Sequence, residues 1–135
     1  PKTIFSINNK LKFPLEGKGD SIRGYVYSYD FSNGIYLIIK KGKIGETYHF
    51  TENKFYSVRN VIKKICKLKN YPFKKLIKIK KDRIGKDKSY KLDITNSTKQ
   101  LRWKVKYDLE AGIKGIINYH EKYKSEFKNL SKKKI

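Results

Sequence analysis

Apolar residues recur every three or four positions in two long stretches of the chain, a pattern that predicts helices with one buried face. The first stretch begins at Asp30 and ends before Gly42. The second spans Val58 to Leu68, and Ser57 in front of it can accept a backbone hydrogen bond as the N-cap. Both helices are therefore expected to pack against a hydrophobic core.

Shorter patterns predict three more helices. They cover residues 2–10, residues 94–101 and a last stretch that begins at residue 109. Asp93 and Asp108 stand directly before the second and third of these, where an aspartate side chain can cap the first turn. Helices are thus expected from one end of the chain to the other.

Strand patterns lie between these helices. Segment Phe13–Glu16 is short and extended, because the residue before a proline avoids the helical region, and a glycine turn at residues 17–21 follows it. Segments Ile22–Tyr27 and Glu46–Phe50 have strand composition. Leu76–Lys80 alternates apolar and basic residues, as a half-buried strand does. Strands and helices mix without strict alternation, so the predicted fold class is α/β or α+β.

Charge is the most unusual property of the composition. The chain has 135 residues, enough for one domain with a hydrophobic core, and a formal net charge of +22. Such an excess favours an anionic partner such as nucleic acid. Only four of the 34 basic residues are arginine, however, the residue that reads bases through its planar fork. The single alanine and the many Ile, Asn, Tyr and Phe residues are typical of A/T-rich coding, so a solvated lysine surface is the preferred interpretation and a nucleic-acid partner the second.

Cysteine usage and the chain start bear on the cellular context. Cys66 is the only cysteine and lies in the second long helix, where a buried, inert thiol is expected. A single cysteine allows no disulfide within the chain, which fits a cytoplasmic protein. No apolar run approaches the ~20 residues of a membrane helix. The start at Pro1, without methionine or a signal pattern, is expected of a cut through a longer polypeptide.

Two groups of residues suggest catalytic or metal sites only weakly. His49 and His120 are far apart in sequence and have no cysteine cluster nearby, so no metal site is predicted. Tyr36 and Lys40 have the spacing of a proton-transfer pair in NAD-dependent enzymes. No dinucleotide fingerprint accompanies them, and the spacing recurs by chance in a chain so rich in both residues. Packing and solvent exposure are therefore the preferred interpretation of this pair.

A phosphate-binding arrangement is the stronger chemical signal. Arg23 begins a strand after a glycine turn, and Arg83 and Lys86 flank Gly85 in another loop. Two arginines that converge from separate loops can bind a diphosphate through bidentate hydrogen bonds. The alternative is that both are surface ion-pair residues, and spacing alone favours that alternative.

Six segments, taken in their order along the chain, give a second and more specific signal. They are Phe13–Gly19, Ile22-Arg23 with Val26 and Asp30, Gly42–Tyr48, Ser57–Arg59, Asp82–Asp87 and Leu101–Trp103. In this order they resemble the C-terminal substrate-binding part of nucleotide-sugar 4,6-dehydratases. These are extended short-chain dehydrogenase/reductase (SDR) enzymes close to the dTDP-glucose and GDP-mannose 4,6-dehydratases. Gly42–Tyr48 is similar to the family's GKxGETYN turn and strand, and Asp82–Asp87 is similar to its DRPGHD loop.

The resemblance implies a fold and a binding site. The fold would be the substrate-binding lobe of an extended SDR enzyme, a small sheet with several helices and no Rossmann domain, over residues 1–127. A basic tail would follow at residues 128–135. Arg23 and Arg83 would bind the diphosphate of a nucleotide sugar. The other implied contacts are Pro14, Leu15 and Glu16 beside the base, and Asp82, Arg83, Ile84, Gly85 and Lys86 in a loop that closes over the nucleotide.

The resemblance also implies a reaction. The full enzyme would oxidise the sugar at C4 with bound NAD, eliminate water across C5 and C6 and return the hydride to C6, in deoxysugar or surface-polysaccharide biosynthesis. Its NAD-binding glycines, catalytic tyrosine–lysine pair and acid/base carboxylates would precede Pro1, in a Rossmann portion that partners this chain. A homodimer is implied for that full enzyme. The chain alone is expected to bind no NAD and to turn over no substrate.

Two departures from the family pattern leave the substrate open. Lys86 stands where a histidine is common, although the positive charge is kept. Val58 stands where the dTDP-glucose enzymes carry a substrate-binding asparagine, so their sugar contacts do not transfer directly. A nucleotide-sugar epimerase or decarboxylase is the first alternative, because these enzymes share the lobe. A basic nucleic-acid-binding module is the second.

Overall fold

A computed structural model describes residues 1–128 of the protein. Within it the chain forms two compact units. Unit 1 contains residues 1–20, 57–86 and 113 onwards, and unit 2 contains residues 21–56 and 87–112. Apart from its first residue, the basic tail predicted at residues 128–135 lies outside the described residues.

Helices and strands mix along both units, which confirms the predicted α/β or α+β class. In chain order the elements are α1 (Lys2–Asn8), β1 (Phe13–Glu16), β2 (Ile22–Gly24), α2 (Ser28–Lys41), β3 (Phe55–Ser57), α3 (Val58–Leu68), α4 (Phe73–Leu76), β4 (Ile77–Lys80), β5 (Ser89–Tyr90), α5 (Thr95–Lys99), α6 (Leu109–Lys122) and α7 (Lys124–Lys128). No helix among residues 1–128 is long and apolar enough to cross a membrane.

Unit 1 is built on a parallel strand pair, β1 with β4, in which Phe13 pairs with Ile77 and Glu16 with Lys80. Helix α1 packs against β1 and α3, and α3 also contacts α4. The buried side chains come from all of these elements and include Ile4, Leu15, Ile62, Ile65 and Leu76. The apolar face predicted for the helix at residues 58–68 therefore lies in this core.

Unit 2 contains a three-stranded sheet in the order β3–β2–β5, and β5 runs parallel to β2. Its core is the cluster of Phe50, Leu101 and Trp103, with 5.0 Å between the ring centroids of Phe50 and Trp103. Gly34 lets α2 approach this cluster closely, because a Cβ atom there would lie 2.7 Å from the Phe50 ring. Aromatic packing thus joins helix α2 to the segment around Trp103.

Asp30, in the first turn of α2, fixes the segment after Trp103. Trp103 Nε1 donates to the Asp30 carbonyl at 2.9 Å. The backbone amides of Lys106 and Tyr107 donate to Asp30 Oδ2 at 3.1 and 3.0 Å. The side chain is fully buried. Its Oδ2 therefore has the two donors that a desolvated carboxylate oxygen needs, whereas Oδ1 has no hydrogen-bond partner among residues 1–128.

Several sequence predictions are confirmed at the level of single bonds. The turn after β1 has left-handed glycines, with φ of +56° at Gly17 and +72° at Gly19. Ser57 Oγ accepts a bond from the Asn60 amide at 3.1 Å, as an N-cap of α3 should. Asp108 Oδ1 caps α6 through the amide of residue 111 at 2.8 Å. Helices α1 and α2 and strand β1 also lie where they were predicted.

The strand predicted at Glu46–Phe50 is wrong. Side chains from α5 occupy the carbonyls that a neighbouring strand would need. Asn96 Nδ2 donates to the Thr47 carbonyl at 3.2 Å, and Ser97 Oγ donates to the His49 carbonyl. Since these acceptors are already bonded, the segment forms no ladder in spite of its strand-like composition.

Three other predicted elements are shorter than expected. Strand β2 ends at Gly24, because the next carbonyl, that of Tyr25, accepts from the Glu52 amide. Strand β4 begins one residue late because Leu76 closes the short helix α4. Helix α5 ends at residue 99, since the chain turns at Arg102, where φ is +56°, and returns to the helix. Strands β3 and β5 were not predicted at all.

Candidate functional site

Two loops of unit 1 start from the same edge of the β1–β4 pair. The strands are parallel and end together at Glu16 and Lys80, so residues 17–21 and 81–86 both follow carboxyl ends. The amide of Gly17 donates to the Lys80 carbonyl at 2.9 Å, which continues the pairing into the first loop. In open α/β sheets ligands bind outside the carboxyl ends of the strands. This edge is therefore where a ligand of unit 1 is expected.

An ion pair joins the end of β1 to the loop after β4. Arg83 Nε lies 2.9 Å from Glu16 Oε2. The Arg83 side chain is 73% exposed, so most of its guanidinium faces solvent and keeps free N–H donors. Glu16 and Arg83, two residues of the predicted site, are thus brought together, with the arginine accessible to an anion.

A second ion pair shapes the loop itself. Lys86 Nζ lies 2.8 Å from Asp82 Oδ1, and the Lys86 side chain is only 14% exposed. The hydrogen bond from Lys86 holds the pKa of Asp82 below its usual value, with smaller contributions from the lysine charge and from Arg83. Lys86 therefore serves first to fold the loop and is less accessible to a ligand than Arg83.

Glycines permit the close approach and the turn of the two loops. Gly17 has a φ of +56°, which favours glycine, and a Cβ atom there would lie 2.6 Å from Asp82 Oδ2, so a larger residue would also displace this carboxylate. Gly85 has a φ of +74° with open space around it, and Ile84 before it is fully exposed. The tip of the second loop thus projects into solvent next to Arg83.

The two apolar residues predicted beside the base differ in accessibility. Pro14 is half-buried and pairs in register with Lys78. The side chain of Leu15 is 2% exposed and belongs to the core of unit 1. Leu15 can therefore offer a ligand only backbone groups, whereas Pro14 can offer part of its ring.

Arg23 lies in unit 2, on β2, with Tyr90 of β5 as its register partner. Its Nη1 donates to the Ile22 carbonyl at 2.7 Å and its Nη2 to the Asp87 carbonyl at 3.0 Å. No carboxylate among residues 1–128 pairs with this guanidinium, which has five N–H donors and uses two of them here. Arg23 and Arg83 belong to different compact units, so their meeting on one diphosphate stays a prediction.

Positive charge is unevenly distributed between the two units. By sequence, unit 1 up to residue 128 carries 20 Lys and Arg against 5 Asp and Glu, whereas unit 2 carries 11 against 7. The segment from Ser57 to Lys81 contains no acidic residue at all. Such an excess favours the approach of anionic ligands to unit 1 as a whole.

The other candidate residues show no catalytic arrangement. Lys40 Nζ lies 5.0 Å from the centroid of the Tyr36 ring, and both side chains are exposed, as the preferred interpretation expects. Cys66 is buried, which confirms the core thiol, and burial raises the pKa of that thiol. Among residues 1–128 no group of three His, Cys, Asp or Glu side chains could hold a metal ion.

Arg59 contacts the first loop, a role that sequence reasoning missed. It was identified only as part of the helix-start segment Ser57–Arg59. Arg59 Nε donates to the carbonyl of Lys18 at 2.6 Å, and its amide donates to the carbonyl of Gly19 at 2.9 Å. Nothing in the local pattern signals a contact across 41 residues, although the rarity of arginine in this chain marks the residue.

The chain is similar in sequence and in fold to part of several known enzymes. The dTDP-glucose 4,6-dehydratase of Shigella flexneri is 29% identical over 126 residues, which cover 89% of this chain and 35% of that protein. The structure of dTDP-glucose 4,6-dehydratase from Bacillus anthracis in complex with NAD superposes with a TM-score of 0.86 at 25% identity, over 97% of this chain and 41% of that one.

An epimerase shares the fold as well. The UDP-glucose 4-epimerase of Thermotoga maritima, solved with UDP-glucose, superposes with a TM-score of 0.81 at 24% identity, over 90% of this chain and 38% of that one. No protein-family model matches the chain. The chain thus spans well under half the length of each of these three proteins.

Proposed function

We propose that this chain, which matches the C-terminal part of nucleotide-sugar 4,6-dehydratases of the extended SDR type in sequence and in fold, is the substrate-binding part of such an enzyme. The substrate class is a nucleoside diphosphate hexose. Among residues 1–128, the edge formed by Glu16 and Lys80 carries this proposal, because it brings together an exposed guanidinium and two glycine turns.

Recognition of the diphosphate rests on two arginines. Arg83 offers an exposed guanidinium that only a surface carboxylate engages, and Arg23 offers the N–H groups that its two carbonyl contacts leave free. Planar guanidinium groups bind phosphate oxygens bidentately, which a lysine cannot do. Each of the two arginines is therefore proposed to bind phosphate oxygens of the ligand.

Recognition of the base rests on the end of β1. The groups proposed to meet the base are backbone carbonyls of Pro14, Leu15 and Glu16 and the amides of the last two, since proline has no N–H and the leucine side chain is buried. The loop from Asp82 to Lys86 closes over the nucleotide with Ile84 at its exposed tip. Base contacts through backbone groups select a base by shape and hydrogen-bond pattern rather than by charge.

The reaction of the whole enzyme follows from the dehydratase assignment. With NAD held by its Rossmann portion, the complete enzyme would oxidise the sugar at C4, eliminate water across C5 and C6 and return the hydride to C6. In the proposed enzyme, a Rossmann portion supplies the cofactor site and the catalytic residues, and a cytoplasmic homodimer is the expected assembly. This chain contributes substrate affinity, so on its own it is expected to be inactive.

Titration calorimetry of the 135-residue chain tests the proposal. The chain is titrated with dTDP-glucose, UDP-glucose and GDP-mannose at low ionic strength, because surface electrostatics are then least screened. We expect saturable one-site binding of one of these ligands, competition by its free nucleoside diphosphate, none by free glucose, and no binding of NAD.

Two outcomes would overturn the proposal. One is the absence of saturable binding for all three nucleotide sugars. The other is tight binding of a DNA duplex whose affinity falls steeply with salt while nucleotide sugars fail to compete, since that behaviour marks a phosphate-backbone binder.

An epimerase is the second candidate, favoured by the fold likeness to the Thermotoga maritima enzyme. Both reactions begin from a bound nucleotide sugar, so this chain would bind its ligand in the same way. Incubation of the complete polypeptide with a nucleotide hexose distinguishes the two, because a dehydratase yields a 4-keto-6-deoxy sugar and an epimerase yields the C4 epimer.

A further inference from the structure

The loop after β1 is held by one side chain from a different element. Arg59, in the first turn of α3, donates from Nε to the carbonyl of Lys18 at 2.6 Å and from its amide to the carbonyl of Gly19 at 2.9 Å. Two consecutive carbonyls of the loop are therefore fixed by the same residue. The loop makes one internal bond as well, from the Gly19 amide to the Glu16 carbonyl at 3.2 Å.

Helix geometry explains why α3 can bind the loop in this way. The first amides of a helix have no partner inside the helix. The Ser57 side chain takes the amide of Asn60, and the Gly19 carbonyl takes that of Arg59. The start of α3 is thus completed partly by its own cap and partly by the loop.

Close packing confines the loop to this position. A Cβ atom on Gly19 would lie 2.8 Å from Leu15 Cδ1 and 3.2 Å from Arg59 Cβ. Gly19 is buried, with a φ of +72° that other residues seldom adopt. The guanidinium carbon of Arg59 also lies 5.8 Å from the centroid of the Phe73 ring, a cation–π contact that keeps the side chain in place.

The geometry points to Arg59 as a positioning residue that holds loop 17–19 in the conformation that receives the nucleobase. This inference rests on the proposed function, because it names a determinant of the same site. Arg59 acts through the loop carbonyls and needs no contact with the ligand. Its loss should weaken binding of a nucleoside diphosphate, which reaches the base end of the site, and leave binding of inorganic pyrophosphate unchanged.

Three variants of the 135-residue chain separate the possible roles of Arg59. Arg59→Ala removes the side-chain donor, and Arg59→Gln keeps an N–H donor without the charge. Lys63→Ala is the control, since Lys63 lies one turn later on α3 and over the same Phe73 ring at 5.9 Å, with no bond to the loop. The amide signals of Gly17 and Gly19 and their hydrogen exchange report the order of the loop without any ligand.

The ligands are inorganic pyrophosphate and whichever of dTDP, UDP and GDP binds the wild-type chain most tightly. Because one hydrogen bond is lost, Arg59→Ala should bind the nucleoside diphosphate about five- to tenfold more weakly. Arg59→Gln should recover part of this affinity. Pyrophosphate affinity should not change, exchange of the Gly19 amide should quicken, and Lys63→Ala should match the wild type.

Each contrary result has its own meaning. An equal loss for both ligands assigns Arg59 to charge attraction and overturns the positioning role. An unchanged Gly19 signal with unchanged affinities shows that the loop holds its own shape. If the wild-type chain binds neither ligand, the proposed function fails. Faster hydrogen exchange in Arg59→Ala would then show only that Arg59 stabilises the loop.

Discussion

Arg83 Nε and Glu16 Oε2 lie 2.9 Å apart, so the arginine proposed to bind a diphosphate is held by a carboxylate from the neighbouring strand. This contact pre-orients the guanidinium, yet it also places a negative charge beside the proposed phosphate position. Because both side chains are substantially exposed, the attraction between them is weak. A bound diphosphate would compete with Glu16 for the same N–H groups.

Glu16→Gln should therefore tighten binding of the nucleoside diphosphate. The substitution removes the competing charge and leaves the backbone of β1 in place. Exposed ion pairs contribute about 0.2–1 kcal/mol, so the affinity should increase by a factor of about 1.4 to 5. Calorimetry measures it, with Glu126→Gln on α7 as a control for the loss of one exposed negative charge from the same unit. Weaker binding in Glu16→Gln would show that the carboxylate assists the ligand.

Arg83→Ala should have the opposite effect. A hydrogen bond to a charged group contributes about 1.5–3 kcal/mol, so nucleotide-sugar binding should become less favourable by that amount. Stability should change little, because the Arg83 side chain is mostly exposed.

The matched control for Arg83→Ala is Lys74→Ala, which removes one positive charge from an exposed lysine of α4 in the same unit. Affinity is measured for both variants in the complete enzyme and in this chain. If both lower the affinity equally, Arg83 acts only through the net charge and does not contact the ligand.

The ion pair between Asp82 and Lys86 makes the second loop sensitive to acid. Its hydrogen bond lowers the folded-state pKa of Asp82, so the stabilising contribution is present above the unfolded pKa and is lost as pH falls through the folded value. The NMR signals of loop residues 83–86 should therefore stay constant as the pH falls to about 3.9, the usual pKa of aspartate, and should shift only below that pH.

NMR titration of the Asp82 carboxyl carbon checks this prediction. In Lys86→Met the Asp82 pKa should move back up towards its usual value, because the largest cause of the shift is removed. Asp93 is an internal control, since its lowered pKa arises from bonds donated by Thr95. An unchanged Asp82 midpoint in Lys86→Met would mean that the backbone around Arg83 lowers the pKa instead.

Local chemistry made the helices and their caps predictable. Ser57 and Asp108 cap helices because a short polar side chain can reach a free amide within its own turn, and that rule needs no tertiary information. The glycine turn after β1 followed in the same way from Gly17 and Gly19. Elements that satisfy their own backbone groups can be located from sequence.

Partners distant in sequence made the remaining elements unpredictable. The segment Glu46–Phe50 has strand composition, but Asn96 and Ser97 bond its carbonyls from about 48 residues away. The short strands β3 and β5 exist only because β2 lies between them. The same limit applies to the site: Arg83 was predicted from its loop, whereas its bond to Glu16 and the contacts of Arg59 span 67 and 41 residues.

Asp30→Ala should destabilise unit 2 strongly. The buried carboxylate accepts the backbone amides of Lys106 and Tyr107, and alanine leaves both without an acceptor. Both bonds are part-buried, and leaving a buried donor unsatisfied costs about 1–3 kcal/mol, so the free energy of unfolding should fall by about one such increment for the two together. Trp103 is the only tryptophan and bonds the Asp30 carbonyl, so its fluorescence follows unfolding in urea directly. Asp108→Ala is the control, because loss of an exposed cap costs about 0.5–2 kcal/mol. A loss in Asp30→Ala no larger than in the control would show that water replaces the carboxylate.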